Sequence, residues 1–224
     1  ADDASRRDFT INAIYLDAKG QVFDPLGGQA DLTLRRLRFV GSAADRVQED
    51  ALRMLRYCRF CIEYSGGQHD QEAVKALQDF ASIAADLSGE RVAQELRKIF
   101  SNENCSVAVH LLHRTGLDRS ILGISLDLAA LPSRPENIRL VIADYGWLIL
   151  LAAVTPQPDL AGVLQRLRLS RVDQKFCLKV ARSSNEKVFK LLSASRWQQL
   201  AYYMNGHAAA IYACAAWRRG DEFA

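Results

Sequence analysis

Two short extended runs near the start of the chain constrain the fold more than any other feature. Ile14-Tyr15-Leu16-Asp17 and Gln21-Val22-Phe23-Asp24 are separated by Ala18-Lys19-Gly20, the pattern of a β-hairpin. A lone two-stranded hairpin is marginal in water. These strands therefore need a sheet to join, yet no other convincing strand follows. Residues 7–13 suit a short helical turn before them, and Asp24-Pro25-Leu26-Gly27-Gly28 breaks regular structure after them. The expectation is a chain that begins inside an α/β domain.

From about Leu34 onward the pattern is helical. Residues 49–64 carry Leu52, Leu55 and Phe60 at helical spacing, and residues 71–81 form a second amphipathic stretch. Ser88 is placed to cap a helix over 90–100, whose Val92, Leu96 and Ile99 make one stripe. Helices are expected over 105–114, 138–154, 160–167, 172–181, 187–193 and 197–218, with a break at Thr155-Pro156-Gln157-Pro158. The 138–154 segment is apolar on most sides and so belongs in a core. With 224 residues, 49% hydrophobic and 25% charged, the chain can bury a sizeable core and is not a disordered tail. Its longest apolar run, 147–154, is far short of the ~20 residues that cross a bilayer. No secretory leader pattern opens the sequence, and an odd set of five scattered Cys suits a reducing compartment. The expected location is the cytoplasm, with no membrane association.

Three segments carry chemistry. They are Arg6-Arg7-Asp8-Phe9-Thr10-Ile11-Asn12-Ala13, the turn-rich stretch from Asp24 through Gly27 and Gly28 to Asp31, and Glu49-Asp50-Ala51-Leu52-Arg53-Met54-Leu55-Arg56-Tyr57-Cys58-Arg59-Phe60. In the last, Asp50, Arg53, Arg56 and Arg59 step by three and so form a slowly winding polar ridge on a helix, opposite Leu52 and Leu55. A guanidinium offers paired donors and a carboxylate offers acceptors, so Asp50 and Arg53 together can read the Watson–Crick edge of a base. Glu49 can hold Arg53 through a charge-assisted contact, while Arg56 and Arg59 suit a triphosphate. The plain alternative is a solvated helix face with i,i+3 ion pairs.

In their order and spacing the three segments resemble the class II tRNA nucleotidyltransferases, the family of CCA-adding enzymes and bacterial poly(A) polymerases. The match is to its RRDxTxNA, DxxxGxxDL and EDxxRxxRxxRF signatures, with a weaker fourth in Ser88-Gly89-Glu90-Arg91 and Glu95-Leu96. The resemblance implies a mainly α chain: a helical neck, body and tail preceded by the last hairpin of a truncated α/β nucleotidyltransferase head. It divides the chain at 1–33 (head remnant and hinge), 34–101 (neck with the nucleotide-selecting helix) and 102–224 (body and tail). It further implies selection of CTP and ATP by Asp50 and Arg53, help from the later arginines, Arg7 on the incoming nucleotide, and Asp8 and Asn12 near its sugar and phosphates. Asp24, Gly27, Gly28 and Asp31 would form a flexible segment between head and neck, a tight turn being the alternative.

The family's metal-binding D-x-D pair and Gly-Gly phosphate loop do not occur in this sequence. Asp2 and Asp3 are adjacent and would face opposite sides of a strand. No catalytic carboxylate and no metal ligand is therefore assigned here, and the Mg²⁺ that the resemblance implies would have its ligands upstream of residue 1. The expected activity is CCA addition to tRNA 3′ ends from CTP and ATP. The readings beside it are poly(A) polymerase, disfavoured by the short tail, and a non-catalytic RNA-binding helical module.

Arg outnumbers Lys 22 to 7, which suits phosphates and base edges, or reflects a GC-rich genome. The segment 165–196 holds nine Lys and Arg against Asp173 and Glu186. Within it Arg171, Lys175, Lys179 and Arg182 make a basic stripe fit for a tRNA backbone, the alternative being a solvated face. Trp197, Tyr202 and Tyr203 nearby are expected in a core. Cys58 and Cys61 are expected as small core residues, His110 and His113 as satisfied or exposed histidines, and His69-Asp70 as no metal motif. The oligomeric state is not legible in the sequence.

Overall fold

The computed structural model describes residues 2–131 and 146–185. The expected helices over 187–193 and 197–218, and Trp197, Tyr202 and Tyr203, lie outside them, as does the first part of 138–154. The chain divides into two compact units, one of Ala1–Glu95 with Val107–Ile121 and one of Leu96–Ser106 with Leu122–Ala224.

The first unit opens with the hairpin. β1 (Tyr15–Leu16) pairs antiparallel with β2 (Val22–Phe23), Tyr15 opposite Phe23 and Leu16 opposite Val22. The Asp17 carboxylate fixes the turn by accepting the N–H groups of Lys19 and Gln21, both at 2.8 Å. Leu16 and Phe23 stand 71% and 59% exposed, so the hairpin presents apolar surface that a larger sheet would cover. A further pairing is non-local: Phe9 bridges Phe39 antiparallel, with Thr10 N–H donating to Arg38 O and Val40 N–H to Asp8 O. Sequence reading finds no strand there, because three residues on each side carry no period of their own.

That bridge centres the core. The rings of Phe9 and Phe39 lie 5.0 Å apart, Phe9 and Phe60 5.1 Å, and Phe39 stacks on Tyr57 at 5.5 Å. Around them run α1 (Gly28–Thr33), α2 (Ala43–Glu49), α3 (Leu52–Tyr64), α4 (Gln71–Asp79), α5 (Gly89–Phe100), which passes from one unit into the other, α6 (Cys105–Thr115) and α7 (Leu117–Leu122). Ser42 caps α2 by accepting Asp45 N–H, Asp70 caps α4 by accepting Glu72 N–H, and Ser88 accepts Arg91 N–H at the start of α5. Val92, Leu96 and Ile99 are buried along α5, as their spacing predicts.

One expectation needs correcting. Residues 49–64 do not form a single helix: Asp50 is extended (φ −152°, ψ 106°) and ends α2, and α3 begins only at Leu52. The cause is local, since the Asp50 carboxylate accepts the N–H of Leu52 at 3.0 Å and so caps a new helix instead of continuing the old one. A helix also occupies Gly28–Thr33, directly after the expected break at 24–28 and inside the stretch expected to be a flexible segment.

In the second unit, α8 (Gly146–Val154) is buried at every position from Trp147 to Val154, and α9 (Leu160–Arg166) and α10 (Arg171–Asn185) follow. Gln157 donates to Ala181 O and Asp127 N–H to Val154 O, tying loop ends to helices. Among the described residues no helix is long and apolar enough to cross a membrane.

Candidate nucleotide and RNA site

The junction of α2 and α3 gathers the charged residues of the first and third sequence segments. Arg53, in the first turn of α3, donates to the Glu49 carboxylate, to Arg46 O at 3.0 Å and to Arg6 O at 3.3 Å. Glu49 therefore does hold Arg53, and their proximity keeps its carboxyl below the usual range. Arg56, one turn on, donates through Nε to Asp8. Asp8 is buried and also accepts Asn12 Nδ2 at 2.7 Å and its neighbour's N–H, that of Phe9, at 3.0 Å. Burial alone would raise the Asp8 carboxyl; Arg56 and Asn12 outweigh it and hold the net value low.

Asp50 pairs with Arg91 on α5, Nη2 to Oδ2 at 2.8 Å. Because the chain breaks at Asp50, its carboxylate lies outside α3 and is paired with Arg91 instead of Arg53. Arg7 is held apart from this group: Asp3 takes its guanidinium at 2.8 Å and the hydroxyl of Tyr15 at 2.9 Å, while Arg7 also lies over the Tyr15 ring. Arg59 is buried. Glu95 and Glu63 each accept from it at 2.8 Å and it packs 4.2 Å from the Phe60 ring centre, so these donors are engaged within the protein.

The structure thus brings Asp8, Asn12 and Arg56 together, joins Glu49 to Arg53, and separates Arg7 and Arg59 from both. It adds two residues. Arg91 sits in the fourth, weakest sequence signature, which is the signal that finds it. Arg46 pairs with Glu49 at 2.8 Å and keeps a buried Nε without a hydrogen-bond partner; its i,i+3 spacing to Glu49 is its one signal. Arg46, Arg53, Arg56 and Arg91 bring four guanidiniums to this junction against the three carboxylates of Asp8, Glu49 and Asp50. The surplus is cationic, as a polyphosphate ligand requires.

The turn segment is tightly built. Asp24 accepts the N–H groups of Gly28 and Gln29, each at 2.8 Å, and these bonds keep its carboxyl low. Gly27 adopts φ +73°. A Cβ on Gly28 would sit 2.4 Å from Thr10 O and 2.8 Å from Ile14 Cγ1. Asp31 is wholly buried, accepting the Thr10 hydroxyl at 2.7 Å and pairing with Arg36 and Arg38, both at 2.8 Å.

On α10, Arg171, Lys175, Lys179 and Arg182 are all exposed, while Phe176, Cys177, Val180 and Ala181 are buried. Cys58, Cys61, Cys105 and Cys177 are buried free thiols; burial pushes Cys105 up to about 11 and raises Cys58 and Cys61. His113 hydrogen-bonds Asp118 at 2.9 Å. Among the described residues no group of three or more His, Cys, Asp or Glu is placed to hold a metal ion.

Comparison with known proteins agrees with this anatomy. Residues 1–38 match the family model of the poly A polymerase head domain, and residues 69–122 match that of the probable RNA and SrmB-binding site of polymerase A. The mitochondrial CCA tRNA nucleotidyltransferase 1 of Mus musculus is 33% identical over 189 residues, 83% of this chain and 43% of that protein. The CCA-adding enzyme of Geobacillus sp. strain WCH70 is 38% identical over 149 residues, 66% of this chain and 35% of that one. The structure of the Bacillus stearothermophilus CCA-adding enzyme in complex with CTP superposes with a TM-score of 0.74 at 26% identity, over 98% of this chain and 55% of that one. The chain thus spans about half the length, or less, of the relatives it matches. With head and RNA-binding segments in family order and a shared fold throughout, the chain belongs to the class II tRNA nucleotidyltransferase/poly(A) polymerase family.

Proposed function

We propose that this chain is the nucleotide-selecting and RNA-holding part of a CCA-adding enzyme, a transferase that adds C, C and A to tRNA 3′ ends from CTP and ATP. The observation that carries the reading is the arginine-rich junction of α2 and α3. Asp50 spends Oδ1 on Leu52 N–H and Oδ2 on Arg91, and each oxygen keeps a second lone pair for a base amine. Arg53 is oriented by Glu49 and by two backbone carbonyls, so its remaining donors meet a base edge at low entropic cost. Arg56, with Nε fixed by Asp8, offers its other nitrogens to phosphate, and Asn12 steadies the same carboxylate. Arg7 reaches a triphosphate by exchanging its exposed pair with Asp3. Arg59 supports α3 from its buried side.

On this reading residues 1–33 are head and hinge, 34–101 neck, and 102–224 body and tail. Of the expected hinge residues Asp24, Gly27, Gly28 and Asp31, Gly28 packs closely on Thr10 O and Asp31 accepts the Thr10 hydroxyl, which supports the tight-turn reading of this segment. The exposed stripe of α10 takes the tRNA backbone. The relatives named above are CCA-adding enzymes, which favours this activity over poly(A) synthesis. Buried free thiols suit a reducing compartment such as the cytoplasm. Mg²⁺ is not assigned to residues of this chain.

Binding of CTP, ATP, GTP and UTP by calorimetry tests the selection. CTP and ATP should bind more tightly than GTP and UTP. Arg53→Ala should reduce that preference by about tenfold, the discrimination of one good bidentate contact, with tRNA affinity kept. An unchanged order of affinities in Arg53→Ala overturns the assignment.

A further inference from the structure

A cleft of about 490 Å³ opens between α4 and α6, lined by His69, Gln71, Val74, Lys75, Gln78 and Arg114, none of them among the residues assigned above. Its volume is that of a small-ligand pocket, but its lining is not the apolar one such pockets have. Three of the six side chains are cationic or can become so, two are amides, and none is a carboxylate. Gln71, Val74, Lys75 and Gln78 recur at i, i+3, i+4 and i+7, so α4 offers one continuous donor-bearing face. Lys75 is shared with Asp79 at 2.7 Å, an exposed i,i+4 pair that a stronger anion displaces at little cost. Arg114 is exposed on α6 and is paired with no acid among the described residues.

His69 is the anchored member. Its Nδ1 lies 3.0 Å from Cys61 Sγ, which in turn contacts Ser65 Oγ at 3.1 Å and Gln68 O at 3.3 Å. The ring is thereby held on its Nδ1 side. Burial first, and then the nearby charge of Arg114, hold this imidazole below its ordinary value. Fixed nitrogen donors, amides and an unspent guanidinium together select phosphate oxygens.

We propose that this cleft binds a phosphate of the RNA backbone, a contact separate from the nucleotide cluster and from the α10 stripe. The inference rests on the RNA-binding reading above, and the cleft lies wholly within the matched segment 69–122. It places one phosphate of the bound strand between Arg114 and Lys75, with the Gln71 and Gln78 amides along its path.

The test compares the chain with its Arg114→Ala/Lys75→Ala variant, two exposed positions whose truncation leaves the core intact. Dissociation constants for a tRNA lacking its 3′ end are measured from about 50 to about 300 mM KCl, alongside those for CTP and inorganic pyrophosphate. The variant should bind tRNA about tenfold more weakly at the lowest salt, its log–log salt slope should flatten by about one to two, and CTP affinity should be unchanged. Arg114→Lys/Lys75→Arg should restore the slope. An unchanged tRNA affinity and slope, with binding still weakened by Lys175→Glu/Lys179→Glu, overturns the cleft and leaves the RNA reading standing. Failure of the unaltered chain to bind tRNA overturns both. Loss of pyrophosphate binding with tRNA affinity intact assigns the cleft to a free phosphate ligand and overturns the backbone contact.

Discussion

Asp31 and Asp8 show how far single carboxylates organise the first unit. Both lose hydration on burial, and both nevertheless titrate low, because Arg38, Thr10 and Arg36 in one case, and Arg56 and Asn12 in the other, favour the charged form. A depressed folded pKa contributes stability that is complete above the unfolded value of about 4 and is lost as the pH falls through the folded one. Urea denaturation from about pH 5 down to pH 3 should therefore show falling stability. Asp31→Asn, which leaves Arg36 and Arg38 without their counter-charge, should lose about 2 kcal/mol at neutral pH and show a flatter acid dependence. A variant as stable as the parent would mean the arginines find water or other partners at no cost. Arg91→Ala is a second residue-scale case: without the 2.8 Å pair Asp50 is no longer held, so CTP should bind several-fold more weakly while urea midpoints change little. Equal CTP affinity would separate Arg91 from the site.

At the scale of elements, the apolar periods were readable and the interruptions were not. Val92, Leu96 and Ile99 announce α5 because three buried residues repeat at helical spacing. Asp50 hides the break between α2 and α3, because a capping aspartate and a mid-helix aspartate look the same until its carboxylate is seen on Leu52 N–H. The Phe9–Phe39 bridge is invisible for a different reason: its register depends on partners thirty residues apart, set by the aromatic core and not by local pattern. The ridge of Asp50, Arg53, Arg56 and Arg59 was legible as a set of charges, but its division into exposed and buried members depends on Glu95 and Asp8, which lie far along the chain. Gly28 marks the element most intolerant of change. Gly28→Ala would press a methyl into Thr10 O and should cost about 1–3 kcal/mol in thermal or chemical denaturation, whereas an unchanged midpoint would show that α1 can shift as a body.

For the whole molecule, the cationic surfaces are divided in kind. The α2–α3 junction interleaves arginines with carboxylates that orient them, which on the proposed reading suits one ligand in one pose. The α10 stripe carries four exposed cations over a buried apolar face, which on the proposed reading meets a charged backbone in many registers. Lys175→Glu/Lys179→Glu/Arg182→Glu should accordingly weaken tRNA binding and flatten its salt dependence without altering the preference for CTP and ATP. Unaltered affinity would return the stripe to the role of a solvated helix face.

CCA addition is tested most directly by nucleotide incorporation with the intact gene product. A tRNA lacking its 3′ end, supplied with CTP, ATP and Mg²⁺, is resolved at single-nucleotide length. Growth by two C and one A that then stops is the expected result, whereas a lengthening ladder of A, or no growth of a tRNA that remains bound, would overturn CCA addition.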